Sequence, residues 1–141
     1  MRRSAALAPL SRDHHRALAV AAGLVRCTPA TARSCAELFT RFLDEHEQRH
    51  FALEEKLLLP ELTVADRELA LRVLEDHRAL SDAARALREG SLEPTPELVR
   101  SLGTRLREHV RFEERSLFPR LESSLPAARL AQLGAALRAE A

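Results

Sequence analysis

The sequence of 141 residues contains few of the residues that interrupt helices, with only four glycines and seven prolines. These residues cluster between apolar segments, where helices are expected to end. Tryptophan and tyrosine are absent. The absence of tyrosine excludes a tyrosyl radical, and without aromatic side chains interleaved with basic ones a surface that stacks nucleic-acid bases is not expected.

Neither charge nor hydrophobicity is concentrated in one part of the chain. Lys and Arg number 22 against 21 Asp and Glu, which leaves a formal net charge of +1 and gives no electrostatic reason to bind nucleic acid. No run of about 18 apolar residues occurs, so we expect no membrane span. Cys27 and Cys35 have no paired framework around them. The apolar run after the basic start stops after a few residues and charge follows, unlike a signal peptide. We therefore expect a cytoplasmic protein with no membrane or nucleic-acid partner.

Apolar residues recur at helical spacing along most of the chain, which predicts an all-α fold. The expected helices run from Ser11 as N-cap to about Cys27, from about Ala32 to Leu59, from Thr63 to Glu89 with Gly90 after it, from Thr95-Pro96 toward Pro119, and over a short fifth segment from near Pro126. Short connections between four long helices are typical of an antiparallel up-down-up-down four-helix bundle. The length suits a single domain over residues 1–141, with the bundle core at about 10–121.

One segment occurs twice. "HFALEEKLLLPEL" at residues 50–62 matches "HVRFEERSLFPRL" at residues 109–121, and "HRAL" at 15–18 matches "HRAL" at 77–80. The order of these segments indicates two copies of one helical hairpin. In each long segment a histidine precedes a glutamate by four residues, which is about one helical turn, so both side chains lie on the same face.

The repeated histidines and glutamates lie on the apolar stripes of their helices. A single His-Glu pair at this spacing is usually a surface ion pair. Here, however, His50, Glu54, His109 and Glu113 are joined by His77 and by either His14 or His15. Burial of so many ionisable groups costs several kcal/mol per charged group unless it is compensated, and a metal centre compensates it. Four imidazoles and two carboxylates exceed the needs of one tetrahedral zinc ion and indicate two metals bridged by carboxylates.

Some neighbouring positions remain open to more than one interpretation. Alignment of the two "HRAL" segments favours His15 over His14 as the inward residue, whereas alignment of the "DH" pairs favours His14. His46 lies one turn before His50 and either adds a fifth imidazole or faces solvent. Glu55 and Glu114 are interpreted as exposed partners of basic neighbours.

As a four-part pattern, "DHHRAL", "HFALEEKLLLP", "EDHRAL" and "HVRFEERSLFP" resemble the hemerythrin-like, HHE cation-binding domains. The resemblance implies an antiparallel four-helix bundle with an oxo- or hydroxo-bridged pair of iron ions, although zinc or manganese could replace them. The implied ligands are His15 or His14, His50, Glu54, His77, His109 and Glu113, with both glutamates bridging.

The same resemblance implies a protein that binds or senses dioxygen or another small diatomic ligand such as nitric oxide. The alternatives are an oxidase, a peroxidase or an enzyme that handles nitric oxide or iron at the same centre, or a metal-storage bundle. Oxygen-carrying members have a further histidine one turn before the helix-three ligand, where this chain has Val73. We therefore expect a more open and more reactive centre than that of a carrier.

Overall fold

Five helices account for most of the chain in the computed structural model, which describes residues 3–140. They are α1 (Ala8–Val25), α2 (residues 32–58), α3 (Arg67–Glu89), α4 (residues 96–124) and α5 (Ala127–Glu140). No strand occurs among the described residues, so the predicted all-α class is confirmed. The assignment of residues 1–141 to one domain stays a prediction, and its first two residues and its last lie outside the described part.

Capping residues define several helix ends as the sequence predicts. The Thr95 hydroxyl accepts a hydrogen bond from the Leu98 amide at 3.1 Å, and Pro96 follows as the first residue of α4. Gly90 ends α3 with a φ of 79°, a left-handed conformation that glycine adopts without a steric penalty. Thr63 and Asp66 form a capping box around the short 3-10 turn Val64–Asp66 that precedes α3.

Two predicted helix ends are wrong. Helix α1 begins at Ala8, with Pro9 in its first turn, and the Ser11 hydroxyl donates a hydrogen bond to Glu114 at 2.7 Å instead of capping the helix. Helix α4 continues past Pro119 to Ser124. Pro119 has no amide hydrogen to donate, and it lies just after the π-helical segment Glu113–Leu117, where the regular α-helical hydrogen-bond pattern is already interrupted.

Helices α2 and α4 contain wider π-helical turns. Helix α2 is α-helical over Ala32–Phe42 and Gln48–Leu53 and π-helical over Leu43–Glu47 and Glu54–Leu58, and it ends in the 3-10 turn Leu59–Glu61. Helix α4 has one π-helical segment, Glu113–Leu117, between Pro96–Phe112 and Phe118–Ser124. Two of the three π segments therefore begin at the equivalent glutamates of the repeat. Such segments are rare and often mark functional sites.

The helices pack around two apolar clusters. One cluster includes Ala17, Leu43, Leu80 and Leu106, and the other includes Leu10, Leu58, Val73 and Leu117. Each of the four long helices contributes to both clusters, and each carries a buried histidine close to the boundary between its two contributions. The buried polar residues therefore form a layer between the clusters.

Helices α1 and α4 run in opposite directions. The side chain of Arg100, near the start of α4, donates to the carbonyl of Cys27, just after the end of α1, at 3.0 Å. Ser11, near the start of α1, contacts Glu114 on the second half of α4. Leu133 and Leu137 of α5 join the second apolar cluster. Within residues 3–140, none of the helices has both the length and the apolar content needed to cross a bilayer.

Replacement of Gly103 by alanine should destabilise the fold, because α1 and α4 approach each other closely there. A Cβ atom at this position would lie 2.8 Å from Leu24 Cβ, 2.9 Å from the Ala21 carbonyl oxygen and 2.9 Å from the Val25 amide nitrogen. Two of these atoms are backbone and cannot move independently of α1. We expect a loss of about 1–3 kcal/mol in the free energy of unfolding, measured by urea denaturation of the metal-free protein.

Gly23→Ala is the matched control, since a Cβ atom on Gly23 meets nothing within 4 Å. Because alanine has the higher helix propensity, this variant should gain about 0.5–1 kcal/mol. Equal effects of the two substitutions would contradict the close approach of the helices.

Candidate metal centre

Buried histidine and glutamate side chains meet in the polar layer between the two apolar clusters. Helix α1 contributes His14, α2 contributes His50 and Glu54, α3 contributes His77, and α4 contributes His109 and Glu113. Each of these six residues is at most 4% exposed. Each lies on the helix face that the apolar spacing directs inward, so the four-helix arrangement brings them together.

The donor atoms of these residues form two groups that share both glutamates. Within each group the atoms lie within 4.8 Å of one another: the His14 group contains His14, His50, Glu54 and Glu113, and the His77 group contains Glu54, His77, His109 and Glu113. Glu54 directs Oε2 to His50 Nε2 and Oε1 to His77 Nε2, each at 3.0 Å. Glu113 directs Oε1 to His14 Nε2 at 2.9 Å and Oε2 to His109 Nε2 at 3.0 Å.

The donor set suits two cations bound side by side. Each group offers two imidazole nitrogens and one oxygen from each glutamate, which is the arrangement that two bridging carboxylates require. His109 Nε2 and Glu113 Oε2 are buried without a hydrogen-bond partner although they lie only 3.0 Å apart. A cation between these two atoms would satisfy both of them.

Four further carboxylates hold the outer nitrogens of the histidines, and we call them the outer carboxylates. The contacts to Nδ1 are Glu114 to His14 at 2.6 Å, Asp13 to His50 at 3.1 Å, Glu55 to His77 at 2.8 Å and Asp76 to His109 at 3.0 Å. A carboxylate at Nδ1 keeps the proton on that nitrogen and turns Nε2 toward the centre, as is usual for histidines that bind metals. The four contacts follow the internal repeat, because each hairpin contributes one aspartate and one glutamate.

The outer carboxylates are the part of the site that the sequence interpretation missed. Glu55 was expected to pair with a basic neighbour, but it contacts His77. Glu114 does contact Arg3 at 3.0 Å, but it also holds His14. Their signal was present in the repeated "EE" and "DH" pairs. It went unrecognised because an α-helix turns consecutive side chains apart by about 100°. The π segments hold more residues per turn, so consecutive glutamates diverge less.

The structure places His14, and not the favoured His15, in the centre. His14 is 2% exposed, whereas His15 is exposed to solvent and belongs to neither group. The alignment of "HRAL" was therefore the wrong guide to the inward residue, and the alignment of "DH" was the right one. The buried stripe of α1 continues from His14 through Ala17 and Ala21, one position before the residues that the "HRAL" alignment directs inward.

The π segment Leu43–Glu47 brings Glu47 into the protein and leaves His46 outside. The His46 side chain is 44% exposed, its Nδ1 lies 2.6 Å from Arg16 Nη1, and it belongs to neither group. Glu47 is 3% exposed. In the sequence, Glu47-x-x-His50 is the only match to the Glu-x-x-His spacing at an inward histidine, and this spacing is the signal for Glu47.

Carboxylate contacts reverse the effect of burial on the histidines. Burial alone would lower the pKa of His14, but its hydrogen bonds to Glu113 and Glu114 raise that pKa to about 9. The pKa of His77 is raised in the same way to about 9, and the pKa of His109, which lies beside Glu113 and Asp76, is raised to about 10. Burial opposes ionisation of Glu113, but His109 and the other neighbours hold its pKa well below the usual range. Without metal, the centre is therefore a network of ion pairs.

The metal-free protein should lose stability as the pH rises. The pKa values of His14 and His77 are raised from 6.5 to about 9. Their contribution to folding stability is therefore complete below pH 6.5 and disappears as the pH passes 9. The pKa of Glu114 is lowered from 4.5 to about 2, so its contribution to stability is complete above pH 4.5 and is lost progressively as the pH falls toward 2. Urea denaturation should show a decrease on the order of a few kcal/mol between pH 6.5 and 9. An unfolding free energy that rises over this interval would contradict the ion-pair network.

Glu55→Ala should weaken metal binding, because it removes the acceptor that orients His77. We expect an affinity about 10- to 100-fold lower in competition with a chromophoric chelator. Glu108→Ala is the matched control, since Glu108 is exposed on α4 beside His109 and its carboxylate lies 3.9 Å from Arg107 and 3.7 Å from Arg111. Equal affinities for the two variants would show that Glu55 does not orient the ligand.

Comparison with known proteins agrees with this geometry. The family model of the hemerythrin HHE cation binding domain matches residues 6–121. This interval contains all six inner residues and all four outer carboxylates. No curated protein and no solved structure gives a significant match. The match covers most of the chain, and the chain belongs to the hemerythrin HHE cation-binding family.

Proposed function

We propose that this chain holds two iron ions and uses them to bind or sense dioxygen or another small diatomic ligand such as nitric oxide. The observation that carries the proposal is that Glu54 and Glu113 each direct one carboxylate oxygen to each pair of histidines. One ion would be held by His14 and His50, and the other by His77 and His109, with both glutamates as bridges. His15 has no place in this ligand set.

The proposed scaffold is an antiparallel up-down-up-down four-helix bundle with α5 packed against it. The opposite directions of α1 and α4 support this arrangement, as do the contacts of α2 with α1, α3 and α4. In such a bundle each long helix presents its histidine at the same level. The internal repeat then relates the two hairpins, and with them the two groups, by a pseudo-twofold axis.

Imidazole and carboxylate donors suit iron, although they also accept manganese and zinc. Bound iron would supply the change of oxidation state that reversible binding of dioxygen requires. The protein itself fixes the donors and shields them. Phe51 stacks on His77 with ring centroids 3.9 Å apart, and Phe118 stacks on His14 at 5.3 Å. Together with the apolar clusters, these rings limit the access of water to the inner nitrogens.

A second candidate function is turnover at the same centre, as an oxidase, a peroxidase or an enzyme that handles nitric oxide or iron. The observation that favours it is a cavity of about 460 Å³ whose lining includes His50. Val73, at the position where oxygen carriers have a further histidine, is fully buried and offers no donor atom. Both features favour exchange of small molecules at the centre. A metal-storage bundle is the alternative in which the centre takes up metal but binds no such ligand.

Metal analysis tests the ligand set. Protein from iron-replete cells should contain about two irons per chain, and Glu54→Ala and Glu113→Ala should lose most of this metal and also some stability. Glu37→Ala, an exposed position on the same helix as Glu54, should retain it. Zinc alone, or no metal in the unaltered protein, would overturn both iron-based functions.

Anaerobic reduction followed by exposure to oxygen separates the two iron-based candidates. A visible absorption band that forms and disappears reversibly supports a carrier or sensor. Rapid autoxidation together with consumption of hydrogen peroxide supports an enzyme. Iron that responds to neither treatment identifies a storage protein.

A further inference from the structure

Glu47 is a buried carboxyl group that the proposed ligand set does not use. Its side chain lies at the end of the π segment Leu43–Glu47 and is 3% exposed, and its Oε2 atom has no hydrogen-bond partner. It is a member of neither the His14 group nor the His77 group. A buried polar atom without a partner is unfavourable unless something else satisfies it.

The cavity beside the centre connects Glu47 with the proposed ligands. Of about 460 Å³, it is lined by Asp13, Arg16, Phe42, Glu47 and His50, among other residues. Glu47 precedes His50 by three residues on α2, so both side chains project toward the same side of the helix. A small molecule in this cavity therefore meets Glu47 together with His50 of the His14 group.

The second hairpin has no counterpart of this carboxyl. In the internal repeat His109 corresponds to His50, so Leu106 occupies the position of Glu47, and Leu106 is fully buried in an apolar cluster. The two groups match in their inner ligands and outer carboxylates and differ at this position. The bundle itself does not require a carboxyl here, since its own repeat places a leucine at the same site.

We infer that Glu47 forms a hydrogen bond to the far end of a small ligand that enters this cavity and binds at the His14 group. The ligand class is a molecule of a few atoms with a hydrogen-bonding atom beyond the one that contacts the metal, such as hydrogen peroxide or azide. This inference rests on the proposed metal centre. It makes Glu47 a residue that selects the ligand. It also predicts that the ligand binds at the His14 group in preference to the His77 group.

The state of the carboxyl is consistent with a donor role. Burial is the main cause that raises the pKa of Glu47, to about 7, and the neighbouring Glu54 acts in the same direction while His50 opposes it. In the metal-free protein the group therefore carries a hydrogen that it can donate at slightly acidic pH. The substitution Glu47→Gln would keep a neutral donor of nearly the same shape, whereas Glu47→Leu would remove the donor.

Azide titration of the diferric protein, followed by visible absorption, tests this role. Glu47→Leu should bind azide about tenfold more weakly than the unaltered protein, whereas Glu47→Gln should remain within about threefold. Glu45→Gln is the matched control, because Glu45 lines the same cavity but is exposed. It should leave azide affinity unchanged. Azide affinity that is unchanged or stronger in Glu47→Leu would overturn the inference.

Two further measurements keep the test decisive. Iron content is measured first for every protein. If two irons are present and Glu47→Leu leaves azide affinity unchanged, the role of Glu47 alone is refuted. If the unaltered protein contains no iron, the proposed function is refuted, and this inference with it. If Glu47→Leu does not fold, the stretching frequency of bound azide decides. It should differ between Glu47→Gln and the unaltered protein, and identical frequencies would overturn the inference.

Discussion

The central constraint on this fold is the burial of two carboxylates among four imidazoles, between two apolar clusters. Glu54 and Glu113 are both fully buried, and neither could remain ionised there without nearby positive charge. Because each carboxylate divides its oxygens between two helices, all four long helices must bring a histidine to the same level. The packing of the four long helices against one another thus depends on a small set of polar contacts.

Most of this arrangement follows from helical periodicity. Inward positions at His50, Glu54, His77, His109 and Glu113 follow from apolar neighbours at helical spacing, and the repeat indicates the pairing of the hairpins. Periodicity did not decide between His14 and His15, because apolar residues at helical spacing follow both of them: Ala17 and Ala21 follow His14, and Leu18 and Ala22 follow His15. The packing of α1 buries the first of these two stripes.

The π segments are the feature that sequence patterns could not predict. A pattern search assumes a constant angle per residue, and a π segment changes this angle for one turn. Beginning at Glu54 and at Glu113, such a turn lets the next residue, Glu55 or Glu114, reach a histidine of a neighbouring helix. The widened turns are therefore part of the site, because they allow one helix to supply both a bridging carboxylate and an outer one.

The third π segment occurs in only one of the two repeated hairpins and so breaks their symmetry. Leu43–Glu47 has no equivalent in α4, which remains α-helical over Pro96–Phe112. It directs Glu47 inward and leaves His46 beside Arg16 at the surface. The duplicated hairpin can thus supply two equivalent sets of donors, while one local change of helix type gives one set a buried carboxyl that the other lacks. Two ions held by matching ligands would then differ in the polar group beside them, since the difference lies in the surrounding helix and not in the ligands.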